Sequence, residues 1–336
     1  MKHIVFFVNI TAFALWLIPL NLKGIAPEIE AARIKGAKGQ VTLRVIDSKG
    51  FPVEKASISV GFHIPSQKDN VIEGQTDTNG LFVVSGTCRE DMHYTVTKDR
   101  YYQTGGDYWF YRRGEDCVQK GSWFQKSRWQ PWNPTNTVVL KERRAPVPMH
   151  AKRIDAIIPS KDQPIDFDLE VGDWVVPHGK GKESDIYFTY RADLKDFWTG
   201  IKKLTIVFSN KVDGIYRANK DMWSEFNSAY EASSDGYQPS LELVLNATKD
   251  RVLEKEEIDR SECLIFRVRT VLDDKGNIVS ARYGKIYGPI EYGGQDQHLR
   301  FTYYFNPTAN DRNLEFDPSR NLFQWKHDAR ERPYMP

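Results

Sequence analysis

Between residues 40 and 141, apolar and polar side chains alternate in short runs. Val41, Leu43 and Val45 share one side of the run 40–46, and Ile58, Val60 and Phe62 share one side of the run 56–64. Runs at 71–76, 81–85, 92–97 and 135–140 repeat the pattern. A period of two places every second side chain on one face, so each run predicts a half-buried β-strand. Turn residues separate the runs. Asp77-Thr78-Asn79-Gly80 suits a hairpin because Asn and Gly tolerate positive φ, and Gly50 supplies the same freedom in Asp47-Ser48-Lys49-Gly50, with Pro52 fixing the exit.

The second half of the chain is also strand-like. Runs at 165–169, 185–190, 204–208, 241–245 and 299–305 alternate, and 263–272 and 278–287 flank the turn Asp273-Asp274-Lys275-Gly276-Asn277 as a hairpin. The stretch 249–260 reads as a short helix or turn. A proline-rich basic stretch at 142–150 reads as a linker between a first domain at 38–141 and a larger β-rich region at 151–336. The fold class expected is all-β.

The N-terminal 1–24 differ from the rest. Lys2 and His3 precede a mainly apolar run closed by Lys23, the pattern of a signal peptide, or of an anchor if it is not removed. Either reading exports the remainder to the periplasm, the cell surface or the medium, with membrane contact only through an uncleaved leader. Export raises the prospect of a disulfide between Cys88 and Cys117; three buried thiols, Cys263 included, is the other reading. The 336 residues carry a formal net charge of +2, which gives no field suited to nucleic acid.

Asp47, Gly50, Pro52, Val53 and Ala56 form D-x-x-G-x-P-V-x-x-A, and Thr76, Asp77, Gly80 and Phe82 form T-D-x-x-G-x-F. Residues 38–141 therefore resemble the carboxypeptidase regulatory-like domain, a transthyretin-like β-sandwich. The resemblance implies an exported accessory module beside enzymes, receptors or surface proteins, and no catalysis of its own. Segments 168–181 and 306–317 resemble secreted bacterial proteins that pair such a region with a transthyretin-like domain.

Zinc peptidases that accompany such modules need His-x-x-Glu. None of the seven histidines (His3, His63, His93, His150, His178, His298 and His327) has Glu three positions later. Gly-x-Ser-x-Gly is absent as well, and Gly179-Lys180-Gly181-Lys182 lacks the spacing of a phosphate loop. No cofactor and no metal is expected. Asp166, Asp168 and Glu170 alternate along one predicted strand, close to Asp173. That pattern reads as a solvent face, with a calcium site or a hydrolytic acid/base pair as the functional alternative.

The strongest compositional feature is 101–132, a long connection rich in aromatics and cations. Trp109, Trp123, Trp129 and Trp132, with Arg112 and Arg113, are the candidate ligand contacts. Such rings stack on sugars, and the cations favour an anionic partner; the structural alternative is a small aromatic core between the domains. The function expected is a non-enzymatic binding or structural module of the cell envelope that contacts a glycan or a protein. The alternative is a glycan-acting hydrolase using the carboxylates above.

Overall fold

The computed structural model describes residues 26–64, 70–113, 115–122, 126–196, 199–294, 296–324 and 329–336. The leader at 1–24 and Trp123 lie outside the described residues. The fold is all-β, as the alternation predicts.

The first sandwich opens with a short helix, α1 (Pro27–Lys35), which the alternation does not reveal. Its only buried positions are Ile29 and Ala32, one turn apart, and they join the sandwich core. The strands are β1 (Ala37–Asp47), β2 (Ser57–Phe62), β3 (Asn70–Gln75), β4 (Leu81–Cys88), β5 (Asp91–Thr97), β6 (Thr104–Trp109), β7 (Val118–Gln119), β8 (Arg128–Trp129) and β9 (Thr135–Leu140). One sheet runs β4-β1-β8-β7 with β9 parallel to β1; the other runs β3-β2-β5-β6. Val41, Leu43 and Val45 meet Ile58, Val60 and Phe62 between the sheets.

The two turns that carry the family resemblance form one joint. The Asp47 carboxylate accepts the Lys49 and Phe51 amides at 2.8 and 2.9 Å, and the Asp77 carboxylate accepts those of Asn79 and Leu81 at 2.9 and 2.8 Å. Such side-chain turns hold the backbone without help from neighbours. The Val45 amide then donates to the Gly80 carbonyl at 2.8 Å. Gly80 has φ 73°, and a Cβ there would lie 2.3 Å from the Val45 carbonyl oxygen, so no other residue fits. Buried Thr76 completes the joint by donating to Val53 and accepting from Ala56.

The second sandwich contains β10 (His150–Ile157), β11 (Ile165–Asp168), β12 (Asp173–Trp174), β13 (Ile186–Leu194), β14 (Gly200–Phe208), β15 (Gly214–Asn219), β16 (Ser240–Ala247), β17 (Val252–Glu256), β18 (Glu262–Leu272), β19 (Ile278–Gly293) and β20 (His298–Asn306). Its sheets run β10-β20-β19-β18-β15 and β12-β11-β13-β14-β16-β17. Edge-to-face pairs of Phe167 with Trp174, Phe188 and Phe301 fill the space between them.

The stretch expected as a helix or turn at 249–260 instead holds β17. Pairing with β16 supplies the backbone hydrogen bonds that a helix would have made, and the exposed Glu and Lys side chains of β17 protect an open sheet edge.

Asp168 also departs from expectation, being buried rather than solvent-facing. The chain turns after β11, and the carboxylate accepts the amides of Glu170, Val171, Lys182 and Glu183 at 2.8–3.0 Å. Burial opposes its charge, but these donors outweigh burial and hold the carboxyl below its ordinary range. Arg269 pairs with Glu170 at 2.6 Å and with Asp185 at 2.8 Å, and lies 3.5 Å from Asp168. Asp166 accepts from Ser184, and Asp173 from the Trp174 and Lys180 amides. The carboxylates offered for acid/base catalysis or calcium are thus engaged in holding a loop.

The connector is tied down on both sides. Tyr102 donates its hydroxyl to Glu315 at 2.8 Å, and the same carboxylate accepts the Arg144 and Ala145 amides at 2.9 and 2.8 Å. The Phe226 ring packs at a tilt against Tyr102, 5.1 Å between centroids, and the Arg144 guanidinium sits 3.7 Å over Tyr230. Behind this seam Lys285 is fully buried. Its ammonium donates to Tyr287, Ser228 and the Pro336 oxygen at 2.8, 3.1 and 3.2 Å, among the rings of Phe226, Tyr287 and Tyr304.

Candidate functional site

The aromatic segment divides by strand parity. Phe110 and Trp129 turn inward, their rings stacked at 6.3 Å, and the Trp129 indole donates to the Cys88 carbonyl at 3.1 Å. Trp129 is completely buried, so it belongs to the core of the first sandwich and contacts no ligand. Trp132 is half-buried beneath the Arg128 guanidinium at 5.0 Å. The core these rings build lies inside the first sandwich; at the seam between the sandwiches Tyr102 reaches Glu315, the Glu225 amide donates to the Gln103 carbonyl and the Gly105 amide donates to the Trp223 carbonyl, both at 2.8 Å.

Cys88 and Cys117 are both buried and free. The disulfide considered for them is not formed. Thr87, Lys38, Arg128 and Gln119 lie abreast across β4, β1, β8 and β7, so two strands separate the cysteines. Three strand spacings amount to roughly 14 Å, about twice the Cα separation a disulfide spans.

Trp109 faces the other way and is 54% exposed. It closes β6, which pairs with β5 so that Trp109 lies opposite Asp91 and Asp107 lies opposite His93. Met92, Tyr94 and Val96 of β5 point into the core, which sends Asp91 and His93 outward beside Trp109 and Asp107. Directly opposed residues on one face are about 5 Å apart at Cβ and diagonal ones about 7 Å, so the four form one patch. Gly61 completes it: a Cβ there would lie 2.2 Å from His93 Nε2, so the imidazole rests on bare backbone.

The charge around Trp109 is the reverse of that expected. Burial, followed by the Asp107 charge, pushes the Asp91 carboxyl above its ordinary range, while His63 and His93 pull it down. The segment's cations sit elsewhere. Arg112 donates to the Tyr108 hydroxyl at 3.3 Å and lies 3.6 Å from Glu115, and Arg113 is solvent-exposed. An exposed indole flanked by two carboxylates and an imidazole offers an apolar plate for C–H groups with hydroxyl acceptors at its rim. Asp91 and Asp107 set the acidic side of the patch, and His63 and His93 oppose them. Sequence alone did not locate Asp91, His93 and Asp107, because cross-strand register creates their proximity to Trp109.

No protein-family model and no curated protein matches the chain. Among solved structures it is similar to a 3-chlorocatechol 1,2-dioxygenase from Rhodococcus opacus 1CP at 12% identity and TM-score 0.25, over 32% of this chain and 61% of that one. It therefore spans about three fifths of that enzyme's length. It is also similar to a point mutant of the shaft pilin SpaA of Lactobacillus rhamnosus GG, at 12% identity and TM-score 0.21, over 53% and 90% of the two chains. A third similarity is to BcpA, the major pilin subunit of Bacillus cereus, at 9% identity and TM-score 0.22, over 83% and 99%.

Proposed function

We propose that this protein is an exported, non-catalytic binding module of the cell envelope that holds a neutral glycan against the Trp109 patch. The observation that carries this reading is the exposed indole sharing one face with Asp91, His93 and Asp107. Pyranose rings present C–H faces that stack on indole and equatorial hydroxyls that donate to carboxylates. The adjacent carboxylates repel an acidic ligand, which selects a neutral one. A carboxypeptidase regulatory-like identity for residues 38–141 fits an accessory role, as does the apolar leader. Among the described residues no helix is long and apolar enough to cross a membrane.

The test is binding of the full chain to neutral and acidic cell-wall polysaccharides by affinity electrophoresis, for the wild type and Trp109→Ala. Retardation on a neutral polymer that Trp109→Ala abolishes, with the circular dichroism spectrum unchanged, is the expected result. Equal retardation of both proteins on every polymer that binds would overturn the reading.

A further inference from the structure

A cavity lies in the second sandwich, far along the chain from the Trp109 patch. It encloses about 330 Å³, at the lower end of the range of ligand pockets, about 300–1,000 Å³. Three lysines from separate segments converge on it: Lys161 from the loop after β10, Lys195 just after β13, and Lys202 in β14. Asp196 is the carboxylate in the lining. Gly293, with φ 124°, leaves space at the rim, since a Cβ there would lie 3.0 Å from Lys202 Cδ.

The wall also holds two polar groups with unused capacity. Tyr190 is 1% exposed, and its hydroxyl has the Gly294 carbonyl at 3.4 Å, the long end of a hydrogen bond. Gln297, at φ 55°, keeps its Oε1 buried without a donor. An orphaned buried acceptor is unfavourable, and an incoming hydroxyl relieves it once the amide turns toward the cavity. Cations at the mouth, a tyrosine hydroxyl and an amide acceptor on the wall, and the apolar Ala192 and Leu194 between them match one ligand chemistry. That chemistry is a carboxylate, several hydroxyls and a C–H face on one small ring.

We propose that this cavity is a second binding site that takes an acidic sugar, with its carboxylate at Lys195 and Lys202 and its hydroxyls at Tyr190 and Gln297. It differs from the Trp109 patch in position and in charge preference.

The test is calorimetric titration of the full chain with glucuronate and galacturonate oligomers, glucose oligomers and inorganic phosphate, at low and high salt. Uronate oligomers are expected to bind with an affinity that falls as salt rises, and at least tenfold more weakly to Lys195→Ala/Lys202→Ala. Tyr190→Phe is expected to weaken them without altering the salt dependence, and Trp109→Ala to leave them unchanged, which separates this site from the glycan patch. The proposal fails if uronate binds no better than glucose oligomers, if the double lysine variant binds as the wild type does, or if inorganic phosphate binds as tightly as the uronates, which would mark an unspecific cationic rim.

Discussion

The Tyr102 hydroxyl and the Glu315 carboxylate meet at 2.8 Å across 213 positions of sequence. Glu315 is 1% exposed and also accepts the Arg144 and Ala145 amides, so one side chain joins the first sandwich, the connector and the last part of the chain. Replacing Tyr102 by Phe removes one donor of three and should cost about 1 kcal/mol. Glu315→Ala orphans all three donors and should cost roughly 3 kcal/mol or more. Urea unfolding of the single and double variants should give a combined loss below the sum of the single effects. Strict additivity would mean that the contact does not bind the two sandwiches together.

Gly50 and Gly80 both sit at positive φ in sister turns, yet they should respond differently to alanine. At Gly50 nothing lies within 4 Å of an added Cβ, so Gly50→Ala should cost only the left-handed backbone penalty, about 1–2 kcal/mol. At Gly80 the Cβ would strike the Val45 carbonyl, adding about 1–3 kcal/mol of overpacking. Thermal melts of the two variants should rank Gly80→Ala clearly below Gly50→Ala.

Burial pushes the Lys285 ammonium down from 10.5 to about 7. In the unfolded chain this lysine binds its proton up to the ordinary range, so between about pH 7 and 10 the unfolded state holds more protons. Stability contributed by this site therefore rises with pH across that window, and the full penalty stands below it. Lys285→Met removes the term. The variant should gain stability relative to wild type at pH 6, by an amount on the order of a few kcal/mol, and the gain should shrink toward pH 10. Denaturant titrations at a series of pH values check this; a pH-independent difference would contradict it.

Desolvation, reinforced by Asp91, raises the Cys88 thiol to about 12. Burial also raises Cys263. A thiol without thiolate character reacts slowly. In the folded protein, Ellman's reagent should therefore find almost no reactive thiol within minutes, and three after denaturation without reductant. Finding one thiol per unfolded chain would show that Cys88 and Cys117 are bridged after all.

Much of the fold could be read from period-two alternation, because strands with one buried face write that face into the sequence. The hairpin at Asp273–Asn277 is an example: its carboxylate accepts the Lys275 and Asn277 amides, as at Asp47 and Asp77. Elements with few inward positions escaped, among them α1, anchored only by Ile29 and Ala32. Lys285 and Asp168 are buried charges that alternation does not predict (it sets Asp168 on the solvent face with Asp166), because the partners that hold them come from distant segments. The candidate site was half legible. Aromatic density marked the segment, but only strand parity separates outward Trp109 from inward Trp129, and only register brings Asp91 and Asp107 beside it.

The parallel pairing of β1 with β9 has a mechanical consequence. The strands lie side by side from Thr42 opposite Thr135 to Asp47 opposite Leu140 and point the same way. A chain entering at residue 37 and leaving at 141 therefore emerges from opposite ends of the sandwich. Tension applied along the chain loads that ladder in shear, so its hydrogen bonds resist together and do not open one by one. Pulling on residues 37 and 141 in a single-molecule experiment should therefore meet shear resistance from the Thr42–Asp47 and Thr135–Leu140 pairing.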